Sequence, residues 1–185
     1  MLHALIVFDT KLFYFLNSTV ANPFFDWLMP FITNQNHWYL LFVMLVLFLI
    51  LKGGKKGIVV ILLLFITILL SDQLSSQILK PLIGRIRPCY SLPDVRLLIP
   101  CGGQLAFPSG HATNSFAASL ILSYFYPRFA VFLFLIASLV SFSRIYVGVH
   151  YPLDVVAGII LGLLCGKTVL YLYNSVKNKY NINFD

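Results

Sequence analysis

A histidine and an aspartate four positions apart are the residues best placed for chemistry. His150 precedes Asp154, and Pro152 between them suits the first turn of a helix. A carboxylate at that distance can hold one imidazole nitrogen, which leaves the other nitrogen with a free lone pair. The pair therefore suits nucleophilic catalysis, although a capped helix start with a hydrogen-bonded histidine would have the same sequence.

A second histidine follows Pro108-Ser109-Gly110 at the start of an apolar run. Backbone N–H groups at a helix N-terminus have no partner within the helix and attract anions. Gly110 allows close approach of a ligand, and Ser109 can cap the helix or donate its hydroxyl. His111 would then lie beside the anion with a proton available near neutral pH. An ordinary helix cap with an interfacial histidine is the alternative interpretation.

Three basic residues complete the set. Lys80 ends an apolar run, Arg87 lies in the loop after it, and Arg144 is the sole charge in a long apolar stretch. Guanidinium groups bind phosphate oxygens in pairs, and a lysine adds a point charge. These cations indicate a phosphate site. A metal held by the two histidines and Asp154 is the alternative, but the surrounding positive charge would oppose it.

The composition indicates what surrounds this site. The chain of 185 residues is 59% hydrophobic and 10% charged, and it contains no glutamate. A soluble domain carries about 25% charged residues, so lipid must cover much of this protein. The net charge of +7 would suggest nucleic acid for a soluble protein. Here the basic residues lie in turns and tails between apolar runs, so we predict a membrane protein with no nucleic-acid partner.

Long apolar runs joined by short turns predict an all-α helical transmembrane bundle with five or six spans. The clearest spans cover residues 38–51, 58–79, 112–126, 129–147 and 153–173. Gly158, Gly162 and Gly166 lie on one face of the last span and should permit close helix contact. We divide the chain into an N-terminal segment, the bundle and a cytoplasmic tail, covering residues 1–35, 36–175 and 176–185.

The N-terminal segment has two candidate interpretations. Its two apolar stretches, separated at Asn22-Pro23, could be interfacial helices, or the first could be a sixth span. It lacks the basic leader and small-residue cleavage site of a signal peptide. In the bundle, the turns at residues 52–57 and 127–128 share a face with the tail. That face carries most of the basic residues of short loops and should be cytoplasmic, which places the three motifs outside.

The three motifs together resemble the signature of the type 2 phosphatidic acid phosphatase superfamily, which also includes vanadium haloperoxidases. That signature is Lys-x6-Arg-Pro, then Pro-Ser-Gly-His, then Ser-Arg-x5-His-x3-Asp. All three parts match in order and without substitution, from Lys80 to Asp154. Arg85 and Arg96 lie outside the signature, so no role is transferred to them.

The resemblance implies phosphoryl transfer in two steps without a cofactor or metal. His150 would attack phosphorus and form a phosphohistidine, with Asp154 orienting its ring. His111 would protonate the leaving oxygen and then activate the water that releases phosphate. The phosphate-binding residues would be Lys80, Arg87, Ser109, Gly110 and Arg144.

High hydropathy favours the lipid-phosphatase branch of the family over the soluble haloperoxidases. The small size resembles the compact bacterial members, so we expect a protein of the bacterial inner membrane with its site facing the periplasm or exterior. Lipid A 1-phosphate or undecaprenyl diphosphate is the favoured substrate, and phosphatidylglycerophosphate is next. A transporter or binding protein that grips an anionic headgroup without hydrolysis is the rival interpretation, and the His150–Asp154 pair argues against it.

Cys89 and Cys101 lie in the loop between the first two motifs. In an oxidising compartment they could form a disulfide that stabilises the loop by roughly 3 kcal/mol. Cys165 lies within a span and is expected to be a small apolar filler.

Overall fold

The computed structural model describes residues 2–180, and over that range the chain folds into α-helices joined by short turns and by one long loop, residues 92–109. In chain order these are α1 (Leu2–Tyr14), α2 (Pro23–Thr33), α3 (Tyr39–Asp72), α4 (Lys80–Ile83), α5 (Pro88–Ser91), α6 (Gly110–Phe125), α7 (Ala130–Tyr146) and α8 (Pro152–Lys179). Wider π-helical turns extend α1 through Thr19 and join α3 to α4. The predicted all-α membrane fold is thereby confirmed.

Two predicted spans form one long stretch, Gln35–Ile83, with a kink inside α3. Its 49 residues would measure about 74 Å as a straight helix, more than twice the hydrocarbon core. Gly54 leaves the helical region with φ 54° and ψ −140°, and Gly57 packs against the Leu49 carbonyl. The break falls within the turn predicted at residues 52–57.

The helix α6 occupies the middle of the bundle and packs against α3, α7 and α8. Its contact with α8 is close because glycine faces it. A Cβ atom at Gly158 would lie 2.6 Å from the Ser109 carbonyl oxygen, and one at Gly162 would lie 2.2 Å from that of Thr113. The predicted glycine face therefore holds α8 against the start of α6.

Length and apolarity identify three stretches of the described residues that could cross a membrane, or four if the bent N-terminal pair is one span. They are Gln35–Ile83, Pro127–Tyr146 and Pro152–Lys179. The 16 residues of α6 extend about 24 Å, short of a membrane's hydrocarbon core. The count of five or six spans stays a prediction, as does the three-part division of the chain, because residues 181–185 of the tail lie outside the described range.

The N-terminal segment folds against the motif-bearing end of the bundle. Its two helices meet at an angle of 113° at the predicted break, where Asn22 caps α2 by accepting a hydrogen bond from the Phe25 N–H and Pro23 opens the helix. One face of α1 and its extension buries Asp9, Phe13 and Asn17 completely. This packing positions residues far from the motifs beside the candidate site.

Candidate active site

The three sequence motifs meet at one end of the bundle. The start of α6 brings Ser109, Gly110 and His111 there, and the end of α7 brings Arg144. Chain reversal after α7 carries His150 and Asp154 back beside α6, where the Ser109 N–H donates to the Asp154 carbonyl at 2.9 Å. The structure therefore brings together all the predicted site residues of the second and third motifs.

His150 and Asp154 are fully buried and face each other. The His150 Nδ1 atom lies 3.5 Å from the Asp154 Oδ2 atom. That carboxylate also accepts the Tyr151 N–H at 2.8 Å, which holds it at the first turn of α8. Burial, and then the charges of Arg144, Arg87 and Lys80, hold the pKa of His150 well below its ordinary value, against a hydrogen bond to the Ala106 backbone. The imidazole is therefore neutral at physiological pH, as a nucleophile must be.

Cations and unpaired polar atoms lie around this pair. Within residues 2–180, the Ser109 hydroxyl and the Arg144 Nε atom are buried and have no hydrogen-bond partner. Arg144 donates from its Nη1 atom to the Thr33 hydroxyl at the end of α2. Unpaired buried donors are costly, so their convergence on one region indicates a site for an anion.

The other two cations come from the end of the kinked stretch, which carries Lys80, and from the loop that follows it, which carries Arg87. Lys80 donates from Nζ to the Pro108 carbonyl at 3.0 Å, directly before the Ser109–His111 turn. Arg87 donates to the Leu105 and Cys101 carbonyls at 3.2 Å and 2.8 Å. Burial lowers the pKa of Arg87, which Asp154 partly opposes.

Cys89 and Cys101 are joined in this loop, with Cα atoms 6.3 Å apart. Because Cys101 also accepts the hydrogen bond from Arg87, the bridge supports a phosphate-binding candidate as well as the loop. Cys165 is a free cysteine buried in α8, as the sequence predicts.

Sequence reasoning missed one arginine and one aspartate at the site. Arg85 donates from Nη1 to Asp154 Oδ1 at 2.8 Å and from Nη2 to Asp9 Oδ2 at 2.5 Å. The missed signal was Asp9, a carboxylate in an apolar N-terminal stretch. A charge in such a stretch requires a partner, as Arg144 does.

A cavity of about 650 Å³ opens beside His111 and Arg144. Its outer wall comes from the N-terminal segment, where Trp27, Phe31 and His37 stack on one another with ring centroids 6.0 Å and 4.3 Å apart. Asn34, Gln35 and Asn36 add amide groups to this wall. The candidate phosphate site therefore adjoins a space lined by flat rings, neutral polar groups and the apolar side chains of Pro30, Ile99 and Pro100.

Comparison with known families decides between hydrolysis and simple binding. Residues 59–178 match the model of the PAP2 superfamily, and this match covers more than half of the chain. The chain belongs to the PAP2 superfamily. It is a membrane-embedded lipid phosphatase, a hydrolase of phosphoric esters, and the rival role of a headgroup-binding protein is set aside.

Relatives of this PAP2 protein act on lipid phosphates. A lipid A 4'-phosphatase of Bacteroides thetaiotaomicron is 33% identical over 170 residues, covering 88% of this chain and 75% of the relative. The crystal structure of LpxE from Aquifex aeolicus superimposes with a TM-score of 0.67 at 30% identity, over 88% of this chain and 94% of that one. A phosphatidylglycerolphosphate phosphatase from Bacillus subtilis gives 0.71 at 25% identity, over 94% and 88%.

Proposed function

We propose that this PAP2 phosphatase transfers the phosphoryl group of its lipid substrate to His150. The observation that carries the proposal is the buried, neutral imidazole whose Nδ1 atom faces Asp154. With Nδ1 facing the carboxylate at 3.5 Å, the other ring nitrogen has the lone pair that attacks phosphorus. The bond from phosphorus to the lipid oxygen breaks as the new bond to nitrogen forms, and Asp154 stabilises the imidazolium that results.

His111 serves as the general acid and base. Burial, and then the charge of Arg144, lower the pKa of His111 to about 3, and the negative charge of a bound phosphate would raise that pKa again so that the ring can carry a proton. It borders the open cavity, where the leaving lipid oxygen must lie, and it gives that oxygen a proton. The same nitrogen then takes a proton from the water that attacks the phosphohistidine and releases phosphate. Charge on the transferring group is balanced by Lys80, Arg87, Arg144 and the donors at Ser109 and Gly110.

A phosphorylated glycolipid of the lipid A type is the substrate that the cavity favours. Aromatic rings and neutral amides suit a sugar ring, which offers C–H faces for stacking and hydroxyls for hydrogen bonds. A polyprenyl chain is hydrocarbon and cannot form hydrogen bonds with the three amides beside the phosphate. The relative named lipid A 4'-phosphatase supports the same choice.

We also propose that the site faces the periplasm or exterior of a bacterial inner membrane. The basic turns at residues 52–57 and 127–128 lie at the opposite end, which the positive-inside rule assigns to the cytoplasm. The Cys89–Cys101 bridge supports this orientation, because disulfides persist in oxidising compartments.

A panel of detergent-solubilised lipids tests the function. We expect phosphate release to be fastest from lipid A, slower from phosphatidylglycerophosphate and undecaprenyl diphosphate, and unaffected by chelators. Replacing His150 with alanine should reduce kcat at least about 10⁴-fold and abolish an acid-labile protein phosphate on trapping. Full turnover by His150→Ala would disprove the nucleophile, and loss of activity with chelators would show that a metal takes part.

A further inference from the structure

The helix α1, which lies outside the residues matched to the PAP2 model, contacts the segment that carries the catalytic aspartate. Asp9 and Phe13 are four residues apart and therefore lie on the same helix face. Asp9 accepts the Leu153 N–H through Oδ1 at 2.9 Å, and the Phe13 ring lies 5.6 Å from the Tyr151 ring. Both side chains are fully buried, so α1 holds the start of α8 on two sides of Asp154.

Arg85 lies between two buried carboxylates. One end of its guanidinium group binds Asp9 at 2.5 Å and the other binds Asp154 at 2.8 Å. The flat guanidinium also stacks over the Tyr151 ring, 3.9 Å from its centroid. These contacts fix the position of the Asp154 Oδ1 atom, and the Oδ2 atom then faces His150.

The sharing of one arginine has a consequence for charge. Asp9, Arg85 and Asp154 together carry a net charge of −1, whereas Arg85 paired with Asp154 alone would be neutral. Because Asp9 takes part of the arginine's positive charge, Asp154 keeps the negative charge that stabilises the imidazolium of His150. A lysine at position 85 would supply one point charge and could not bind both carboxylates in parallel.

We propose that Asp9 and Arg85 are positioning residues for the catalytic pair: the Asp9–Arg85 ion pair orients Asp154 and preserves its negative charge toward His150. This role rests on the proposed function of His150. It makes the N-terminal helix part of the machinery for the chemical step.

A second ion pair in the same protein provides a matched control. Asp26 of α2 binds Arg96, which like Arg85 lies in the segment between α4 and α6, so it also ties an N-terminal helix to that segment. Asp26 accepts a further hydrogen bond from the Tyr146 hydroxyl at 2.5 Å, and the structure shows no contact of this pair with Asp154 or His150. A purely structural role for Asp9 would make the two pairs equivalent in an activity assay.

The experiment compares Asp9→Asn, Asp26→Asn and Asp154→Asn in the full chain, with the best lipid of the panel. We expect Asp9→Asn to lower kcat roughly 10- to 100-fold and to change KM less than about threefold, because misorientation affects the chemical step more than binding. Asp26→Asn should keep kcat within about twofold of the wild type, and Asp154→Asn should lose about 10⁴-fold. Orthovanadate should raise the melting temperature of Asp9→Asn as it does that of the wild type.

Arg85→Lys provides the second variant, and we expect it to lose kcat as Asp9→Asn does while still responding to orthovanadate. The double variant should be no slower than the slower single variant if both act through Asp154. Wild-type kcat in Asp9→Asn, with Asp154→Asn inactive, would overturn the positioning role and leave the proposed function intact. Loss of folding in both single variants would show a structural role and would overturn it too. A wild-type protein that releases no phosphate would instead contradict the proposed function.

Discussion

Two regions meet at the phosphate site, and they contribute in different ways. The ends of α6, α7 and α8 supply the groups proposed to touch phosphorus and its oxygens, among them His111, Arg144 and His150. The N-terminal helices supply the surroundings: Asp9 binds the arginine that also binds Asp154, Thr33 binds Arg144, and the end of α2 lines the cavity. Changes in the first region should therefore reduce turnover of every lipid, whereas changes in the second should depend on where the altered residue acts.

Among changes in the two regions other than those to the His150–Asp154 pair, replacement of His111 in the first region should reduce kcat most. Replacing His111 with asparagine removes the general acid and base, and kcat should fall by about 10² to 10⁴ for every phosphomonoester lipid of the panel. A substrate with an activated leaving group, such as p-nitrophenyl phosphate, should lose less because its leaving oxygen needs no proton. Equal losses for both kinds of substrate would contradict the acid role.

The loop that contains the Cys89–Cys101 disulfide connects the two regions. Breaking this disulfide should lower the stability of the protein more than its activity. Reduction, or the double change Cys89→Ser with Cys101→Ser, should cost roughly 3 kcal/mol and lower the melting temperature by several degrees. A smaller fall in activity should accompany it, because Arg87 donates to the Cys101 carbonyl. A Cys165→Ala protein serves as the control and should respond to reductant as the wild type does. No thermal shift on reduction would argue against the bridge in the purified protein.

The smallest effect, and the one most specific to the second region, should come from the aromatic wall. Replacing Phe31 with alanine removes the middle ring of the Trp27–Phe31–His37 stack. We expect KM for lipid A to rise about fivefold, which corresponds to the roughly 1 kcal/mol of one ring contact, with kcat and the KM for undecaprenyl diphosphate almost unchanged. Leu5, an exposed residue of α1, gives the matched variant Leu5→Ala. A uniform rise in KM across the panel would contradict the sugar subsite.

The predictability of the site differs between these regions for a physical reason. His150 with Asp154 and the Ser109–His111 turn are local features, so helix periodicity and helix-end chemistry are enough to indicate them. Asp9 and Arg85 are 76 positions apart, and neither belongs to a short motif. The sequence signal at Asp9 is a charge in an apolar stretch, which indicates that a partner exists without indicating which one.

The fold shows the same division. Apolar runs predicted the membrane bundle and the turn near Gly54, and Asn22-Pro23 correctly marked the end of one N-terminal helix. Hydropathy did not decide how the N-terminal pair packs, because an apolar helix can face lipid or protein with equal ease. The structure resolved that question by burying Asp9, Phe13 and Asn17 against the loop and the start of α8.

The sequence by itself determined the membrane environment and, through the resemblance of three motifs, the family, and it singled out the residues proposed to bind the phosphate, because composition and short motifs are local properties of the chain. Only the tertiary structure decided that Arg85 is shared between two carboxylates and that aromatic rings and amides stand beside the phosphate site. These arrangements depend on distances between segments remote in the chain, which side-chain packing sets and local pattern does not. The N-terminal helices, which lie outside the family match, are the part of the molecule where the tertiary structure added most to what the sequence indicates.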